Sequence, residues 1–490
     1  MTIQGSINIA LSSLNLLQQQ SSMISTNIAN ASTAGYAQRD VIGGEFRSGG
    51  FGSGVVATEV RSLANQTAAH AANQASSALA FSQQMVEVLR PYAQQLGQPS
   101  DGTALTSRLS ALDSALVTLS ATPADSSAQA KVVNAARALT ETLHGLSDAV
   151  ASARQQADQG VTTAVDDVNG TLHALARNET ERMAAASNDQ PTASFDSTRE
   201  KLLADLSQSV PVTVHRNGDN NIVVTTDRGT TLWDGAVHEL SFEATPVIPS
   251  TMAATANAEK GLSGGLSGVT VDGQPMAMSR LGTIAANLEL RDSTLPGFGD
   301  QLDRIAGNLV ATFQSVDPSV EDGEAGVFTD AGDPLDPTNP AAIAGLAGRI
   351  ALNPSVDPDQ GGQVWRIRDG AQAVQPGASS STALIMRFTD ALQSTASSTA
   401  ISGLPRSASL MDATMQVAGM QTSAMSTWNG LNQARAQQAE DAQTALSTST
   451  GVNIDEQMQR LLIVQQTYAA SAQVVRAASG MMDSLMSALR

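Results

Sequence analysis

Residues 454–490 read IDEQMQRLLIVQQTYAASAQVVRAASGMMDSLMSALR, and this stretch decides the fold of the chain. Mostly apolar or small residues recur in it in alternating steps of four and three, the spacing of a coiled-coil seam. The seam positions are Ile454, Met458, Leu461, Gln465, Tyr468, Ala472, Val475, Ser479, Met482, Met486 and Leu489. Asn453 stands directly before the stretch as a candidate N-cap. The pattern predicts a long terminal helix that requires a partner helix.

The beginning of the chain carries a matching seam. It consists of Ile3, Ile7, Ala10, Leu14, Leu17, Ser21, Ile24 and Ile28. A seam shows that a helix needs a partner, but it does not show whether that partner belongs to the same chain. Packing within one chain and packing between copies therefore both stay open. We predict that the two terminal helices pair with each other and that they also form the surface for assembly.

The composition favours long helices over a large enzyme core. The chain has 490 residues, of which 41% are hydrophobic and only 3% aromatic, and this length suffices for two or more domains. It contains no cysteine, which excludes disulfides and thiolate ligands. The net charge of −19 argues against a surface that binds nucleic acid or an anionic membrane.

The N-terminal residues lack the features of a cleavable secretory signal. The first basic residue is Arg39, whereas such a signal begins with basic residues. The sequence also has no run of roughly 18 apolar residues, so we expect no membrane-spanning helix. These tests favour a cytoplasmic location, although they do not detect an export route that uses an uncleaved signal.

The region after the first seam is mainly helical in pattern. Gly-rich residues 40–58 predict a loop or short hairpin, and amphipathic helical patterns fill residues 59–209. Gly160 and Gly170 lie inside the longest of these patterns, where glycine weakens a helix. Asp125 is a candidate N-cap for that helix.

The middle of the chain changes its period. Alternating apolar residues and turn sequences, such as RNGDNN at 216–221, predict a β-rich insert over residues 210–280. Helical spacing returns over 281–315 with an interruption at Pro296–Gly299. It returns again over 383–449 with a break at 403–405.

These patterns predict a mainly α fold with a β-rich insert, elongated and divided into several domains. The chain ends would form a coiled-coil-like terminal domain, helical bundles the middle domain, and the insert a small outer domain. The terminal domain is predicted to consist of residues 1–35 and 451–490, and the middle domain of residues 36–209, 281–320 and 383–450. The outer domain is predicted at residues 210–280. Residues 321–382 are predicted as a loop-rich segment attached to the middle domain, with strand candidates at 349–352 and 364–368.

Three stretches resemble the signatures of bacterial flagellar axial proteins. Residues 27–39, NIANASTAGYAQR, are similar to the N-terminal signature of rod, hook and junction proteins, and residues 449–477 are similar to the C-terminal one. The FlgK family of hook-associated proteins fits these two stretches best, because they contain GYAQR at 35–39, GVNIDE at 451–456 and QQTY at 465–468. The third stretch, LELRDSTLPG at 288–297, is similar to a central motif of the same family. The residues that carry the two terminal signatures are Asn27, Ala29, Asn30, Thr33, Gly35, Tyr36, Gly451, Asn453, Asp455, Gln465 and Gln466.

Two departures accompany this resemblance. Ala34 stands where the family commonly has proline, so the turn is less rigidly set. The β-rich insert is short for the family, which implies that a large outer domain carried by many members is missing.

The resemblance implies a structural subunit of the flagellum that joins hook to filament. Its terminal helices would order on assembly, form the inner layer of a tube and pack through Ile7, Leu14, Leu17, Ile24, Ile28, Leu461, Tyr468, Val475, Met482 and Leu489. The implied partners are further copies of the chain, the hook protein, a second junction protein and an export chaperone that binds the C-terminal helix. Export would use the flagellar type III apparatus without cleavage of a signal. A charge at Val475 is then expected to block assembly while the central domains stay folded.

Three other functions compete with this interpretation. The first is a hook or distal-rod subunit, which the long helical region before the insert disfavours because hook subunits are β-rich between short terminal helices. The second is a secreted coiled-coil surface-interaction protein. The third is a cytoplasmic helical scaffold.

The sequence offers little catalytic or metal-binding chemistry. The histidines, His70, His144, His173, His215 and His238, do not show metal-ligand spacing. The acidic residues Asp317, Glu321, Asp322, Asp330, Asp333 and Asp336 lack the ligand spacing of a calcium-binding EF-hand loop. Neither a phosphate-binding loop nor a nucleophile elbow is present. We therefore expect no enzymatic activity, no cofactor and no metal.

Overall fold

Helices dominate the computed structural model, which describes residues 3–31, 36–48, 51–62, 65–98, 100–188, 190–216, 221–257, 262–337, 339–395 and 408–488. The α-helices are α1 Ile3–Ala29, α2 Gln66–Leu96, α3 Leu105–Ala121, α4 Ser126–Ser187, α5 Ala193–Ser209, α6 Gly282–Glu289, α7 Leu295–Val316, α8 Pro340–Ile343, α9 Arg366–Asp369, α10 Ala383–Gln393, α11 Leu410–Thr450 and α12 Ile454–Ala488. The described part of the chain contains no helix long and apolar enough to cross a membrane.

The strands form small antiparallel sheets. They are β1 Arg39–Ser48, β2 Phe51–Ser62, β3 Val212–Arg216, β4 Ile222–Thr226, β5 Thr231–Trp233, β6 Leu240–Ser241, β7 Thr270–Val271, β8 Gln274–Pro275, β9 Phe328–Asp330 and β10 Ile350–Leu352. Pairing follows the orders β1–β2, β3–β4–β5, β6–β7–β8 and β9–β10. The mainly α fold with small β parts and paired terminal helices is therefore confirmed.

The Gly-rich region after α1 forms a longer hairpin than predicted. β1 and β2 pair from Arg39 opposite Ser62 to Ser48 opposite Phe51. Residues 59–62, which we assigned to a helix, therefore extend β2. Register shifts after Ile42 and after Phe46 allow the ladder to continue through the glycines.

Helix α4 runs without a break through Gly160 and Gly170. Asp125 caps it as predicted, because its Oδ1 accepts a 2.8 Å hydrogen bond from the Ser127 amide. At Gly160 an added Cβ atom would lie 2.7 Å from Nδ2 of Asn287. Glycine at this position thus permits the close approach of α6 to α4.

Two local predictions need correction, and two others cannot be compared. Residues 366–369 form a helical turn instead of the predicted strand, because the Arg368 amide donates to the Trp365 carbonyl at 3.0 Å. The interruption predicted at Pro296–Gly299 lies earlier, in a π-helical turn at 290–294. The break at 403–405 and the middle of the turn at 216–221 lie outside the described residues.

The chain divides into two compact units. Residues 1–79, 167–239 and 435–490 form the first, and residues 80–166 and 240–434 form the second. Residues predicted as one β-rich insert accordingly contribute the sheet β3–β4–β5 to the first unit and the sheet β6–β7–β8 to the second.

The second unit has a large apolar core. The predicted apolar face of α3, Leu105, Leu109, Leu112, Leu116 and Leu119, is almost completely buried. Phe313 of α7 contacts Phe328 at 5.0 Å between ring centroids and Phe388 of α10 at 4.7 Å. These aromatic contacts join α7 to β9 and α10.

Arg291, on the π-helical turn, is a fully buried cation in this unit. Its Nη1 donates to Oδ1 of Asp158 on α4 at 2.7 Å, and its Nη2 donates to the Ser267 carbonyl at 2.7 Å. The other carboxylate oxygen of Asp158 accepts from the Thr245 amide at 2.8 Å. Arg291 and Asp158 together therefore hold the segment around the sheet β6–β7–β8 on the helical core.

Within the same unit, Asp303 connects α7 to the turn before β10. Its carboxylate accepts hydrogen bonds from the amides of Gly345 at 2.7 Å and Ala347 at 2.8 Å. Burial raises the pKa of Asp303 to about 6, although these two donors act in the opposite direction.

Replacing Arg291 by methionine should lower the free energy of unfolding by about 3–5 kcal/mol, because it removes the cation that is hydrogen-bonded to the buried Asp158. The double variant Arg291→Met with Asp158→Asn should recover part of this loss. Arg280→Met is the control, since the Arg280–Glu289 ion pair is exposed on the arginine side and should contribute less than about 1 kcal/mol. Urea unfolding measures the free energy of unfolding of Arg291→Met and of Arg280→Met, and an equal decrease in the two variants would contradict the prediction.

Asp303 should make the stability depend on pH. Because its folded-state pKa of about 6 exceeds the ordinary 3.8, the folded protein holds the proton more tightly than the unfolded protein. The stabilisation is complete below the unfolded pKa and is lost as the pH rises through about 6. We expect the stability of the wild type relative to Asp303→Asn to fall by about 2 kcal/mol between pH 4 and 7 in urea titrations. A constant difference would show that Asp303 does not titrate in this range.

Candidate functional site

The two terminal helices pack along each other within a single copy of the chain. The predicted seam of α1 lies on its covered side: Leu17 and Ile24 are buried, and Ile7, Leu14 and Ile28 are half-buried. Each seam therefore finds a partner within the same chain, as predicted. Whether the terminal helices order only on assembly stays a prediction.

On α12, one of the two predicted seam rows is displaced by one residue. Leu461, Val475 and Met482 lie on the side with lower exposure, as predicted. The accompanying row consists of Gln457, Val464, Ser471 and Ala478. Of the predicted positions, Met458, Gln465 and Ser479 are exposed, and only Ala472 is half-buried. Both rows keep the alternation of three and four residues with the Leu461 row, so periodicity does not choose between them. Tyr468 is 46% exposed at the side of this seam, and Leu489 lies outside the described residues.

The helix pair has almost no charge. Helix α1 contains no ionisable side chain, and α12 has none between Arg460 and Arg476. Amides, hydroxyls and aliphatic groups thus form the surface of this pair over most of its length.

The hairpin β1–β2 covers a second side of α1. Oγ of Ser12 accepts a 3.1 Å hydrogen bond from the Val55 amide, and Nε2 of Gln20 donates to the Val41 carbonyl at 3.4 Å. Gly54 has a φ of 139°, and an added Cβ atom there would collide with Oγ of Ser12. Backbone and helix therefore approach closely along this side.

Asn27, at the end of α1, joins three parts of the chain. Its Nδ2 donates to the Arg39 carbonyl at 2.7 Å and to Oε1 of Gln457 at 3.2 Å. Its Oδ1 accepts from the Tyr36 hydroxyl at 2.9 Å and from the Arg39 amide at 3.1 Å. Asn27 is 1% exposed and uses all four of its hydrogen-bonding positions. We call Asn27, Tyr36, Arg39 and Gln457 the Asn27 node.

Arg39 connects this node to α5. Its Nη2 donates to the Ala193 carbonyl at 2.8 Å and to Oγ of Ser197 at 2.9 Å. Its guanidinium carbon lies 5.1 Å from the ring centroid of Tyr36. Burial raises the pKa of the Tyr36 hydroxyl, while the charge of Arg39 acts in the opposite direction. The hydroxyl therefore remains the protonated donor to Asn27.

The bend between α11 and α12 is set by Gly451 and Asn453. A Cβ atom at Gly451 would lie 2.3 Å from the Ser447 carbonyl oxygen, so the turn needs glycine. Asn453 caps α12 as predicted, because its Oδ1 accepts from the amides of Asp455 at 3.0 Å and Glu456 at 3.3 Å. The Asn453 carbonyl also accepts from the Gln457 amide, which leads directly into the node.

The structure assigns positions to most of the signature residues. Asn30 closes the end of α1 by donating from its side chain to the Thr26 carbonyl. Ala29, Gln465 and Gln466 are exposed on the helices. Thr33 and Gly35, together with Ala34, lie outside the described residues. Sequence reasoning assigned no site role to Arg39 or Gln457, although Arg39 is the last residue of the GYAQR stretch and the first charged residue of the chain.

The described residues do not assemble a metal site. They contain no group of three or more His, Asp or Glu side chains that could hold an ion. His173 pairs with Glu239 at 2.8 Å, and His144 contacts the Ile350 carbonyl at 2.6 Å. The Asp317 carboxylate accepts from the amides of Ser319 and Ala371 in a loop.

Replacing Asn27 by alanine should loosen the ends of both terminal helices. Four hydrogen bonds are lost in a buried setting, and the unpaired donors and acceptors should cost about 1–3 kcal/mol. The Arg39 amide, which donates to Asn27, should then exchange its hydrogen faster with solvent. Asn30→Ala is the matched control, because it removes a local bond at an exposed position of the same motif. Equal exchange at Arg39 in both variants would contradict this role.

Family models match three parts of the chain. Residues 92–326 match the helical domain of the flagellar hook-associated protein FlgK. Residues 7–36 match the flagella basal body rod protein family, and residues 442–488 match the C-terminal domain of the flagellar basal body rod FlgEFG proteins. The two terminal matches cover most of α1 and all of α12, and they include Asn27, Tyr36 and Gln457 of the Asn27 node.

Comparison of this chain with whole proteins shows less similarity than the family models do. No protein with a curated function matches the chain. A solved structure, the flagellar hook junction protein FlgK from Burkholderia pseudomallei, is 20% identical with a TM-score of 0.44. That alignment covers 54% of this chain and 47% of the solved one, so it spans about half the length of that relative.

Proposed function

We propose that this chain, which belongs to the FlgK family of flagellar hook-associated proteins, is the structural subunit that joins hook to filament. One observation supports this function over the alternatives. A FlgK helical-domain match occupies the middle of the chain, while the rod-type matches occupy both ends. A hook or distal-rod subunit would share the ends but not this middle, and neither an adhesin nor a cytoplasmic scaffold would share any of the three.

Self-assembly takes place through α1 and α12. The pair presents a surface without charge along α1 and between Arg460 and Arg476 of α12, and the exposed apolar side chains of α12 include Leu462, Ile463, Val474, Met481 and Met486. Exposed apolar groups in this number mark an interaction surface. The Asn27 node sets the angle at which this surface leaves the rest of the first unit, since it ties both helix ends to the hairpin strand and to α5.

Three further partners follow from this function. The hook protein and a second junction protein contact opposite ends of the assembled ring or tube. An export chaperone binds α12 before assembly, because its apolar side chains need cover until other copies provide it. The chain reaches its site by type III export without loss of a signal segment. A subunit of this kind works by shape and packing and needs no catalytic group.

A deletion strain tests the function. Cells without this chain should build complete hooks that carry no filament, and the filament protein should accumulate in the medium. The full-length chain supplied in trans should restore filaments, whereas a chain that ends at residue 453 should not, because it lacks α12. Electron microscopy of the cell surface and immunoblots of the medium provide the measurements.

Other phenotypes would refute the proposal. Complete filaments on the hooks of the deletion strain would exclude the junction function. Loss of the hooks themselves would assign the chain to the hook or distal rod. Normal flagella with reduced adhesion would favour the surface-interaction protein.

A further inference from the structure

Helix α12 carries a second apolar row that does not face α1. The row consists of Ile463, Thr467, Ala470, Val474, Ala477 and Met481, in steps of four and three. Its three large members are 63%, 51% and 56% exposed, in the order Ile463, Val474 and Met481. On a helix with 3.6 residues per turn this row lies roughly 110° around the axis from the row that faces α1. We call it the outer row of α12.

Helix α1 has an exposed row with the same period. Its members are Asn8, Leu11, Asn15, Gln18, Ser22, Ser25 and Ala29, again in steps of three and four. All of them are exposed, including Leu11, and this row faces neither the covered seam of α1 nor the hairpin side. We call it the outer row of α1.

The charges of the chain restrict what can cover the outer row of α12. An apolar row cannot accept an unpaired charge without a large desolvation cost. The chain carries a net charge of −19, yet α1 has no ionisable side chain at all. A second copy thus supplies an uncharged helix surface of matching period, whereas a charged partner surface would not fit.

The two outer rows cannot meet within one copy, because each points away from the contact between α1 and α12. In two copies they can meet side by side as in a coiled coil, over a length of about 27 Å.

We infer that the outer row of α12 in one copy packs on the outer row of α1 in a second copy. This inference rests on the proposed function and assigns the contact to particular faces. Such a contact joins different surfaces of the two copies, and contacts of this type generate rings or open helical assemblies. The seam residues Leu461 and Val475 then pair α12 with α1 of the same chain and do not hold neighbouring copies together.

Adjacent alanines give a matched test. Ala469 and Ala470 are both exposed on α12, but only Ala470 belongs to the outer row. In the deletion strain, Ala470→Glu should fail to restore swimming and filaments, whereas Ala469→Glu should restore both. Amide exchange in α1 of the purified chain should stay unchanged in both variants. Val475→Glu, in contrast, should accelerate that exchange at least about tenfold, since it places a charge inside the pair.

Cysteine cross-linking tests directly whether a second copy covers the outer row of α12, because the natural chain contains no cysteine. Ala470→Cys combined with Gln18→Cys should give a ladder of cross-linked copies after oxidation of isolated hook–filament structures. Ala469→Cys combined with Gln18→Cys should give none. Cross-links to a different flagellar protein alone, or no ladder from the first pair, would overturn the inference.

The outcomes also separate this inference from the proposed function. If the deletion strain keeps its filaments, the proposed function fails. If the deletion removes the filaments but Ala470→Glu restores swimming as well as Ala469→Glu does, the function stands and the assignment of the contact to the outer rows fails.

Discussion

The four hydrogen bonds of the Asn27 amide determine how the ends of this chain leave its body. The amide holds the last turn of α1, the start of β1 and the first turn of α12 in one place, and Arg39 extends the connection to α5. A buried amide that lost one of these partners would leave a polar group without a hydrogen bond, which makes alternative arrangements costly. At this end, the direction of the helix pair therefore depends on the Asn27 node together with the bend at Gly451 and Asn453.

The sequence predicted much of this arrangement and left defined parts undecided. The heptad spacing of α1, the caps at Asp125 and Asn453 and the apolar face of α3 could all be predicted, because each depends on local periodicity or on one side chain near a helix end. Local spacing could not choose between the rows of Met458 and Gln457, since both keep the same alternation with Leu461. The hydrogen bond between Asn27 and Gln457 was equally inaccessible, because Gln457 lies 430 positions away along the chain.

Other differences between prediction and structure also arise from contacts between distant residues. Gly160 weakens a helical pattern in the sequence, but in the structure it makes room for Asn287 of α6. The π-helical turn before Pro296 was read as an interruption of a helix, and it directs Arg291 towards Asp158. In both cases the irregular position in the sequence lies at a contact with a distant residue, which no local pattern reveals.

The absence of ionisable side chains from α1 has a consequence for the conditions under which the helix pair persists. Protonation cannot alter the charge of a helix that has none, and dissolved salt has little to screen where the helices meet. The packing between α1 and α12 over the uncharged stretch should hardly respond to changes in acidity or ionic strength. For the junction subunit that we propose, which would work where neither quantity is regulated, this composition would make the packing of the helix pair independent of the medium.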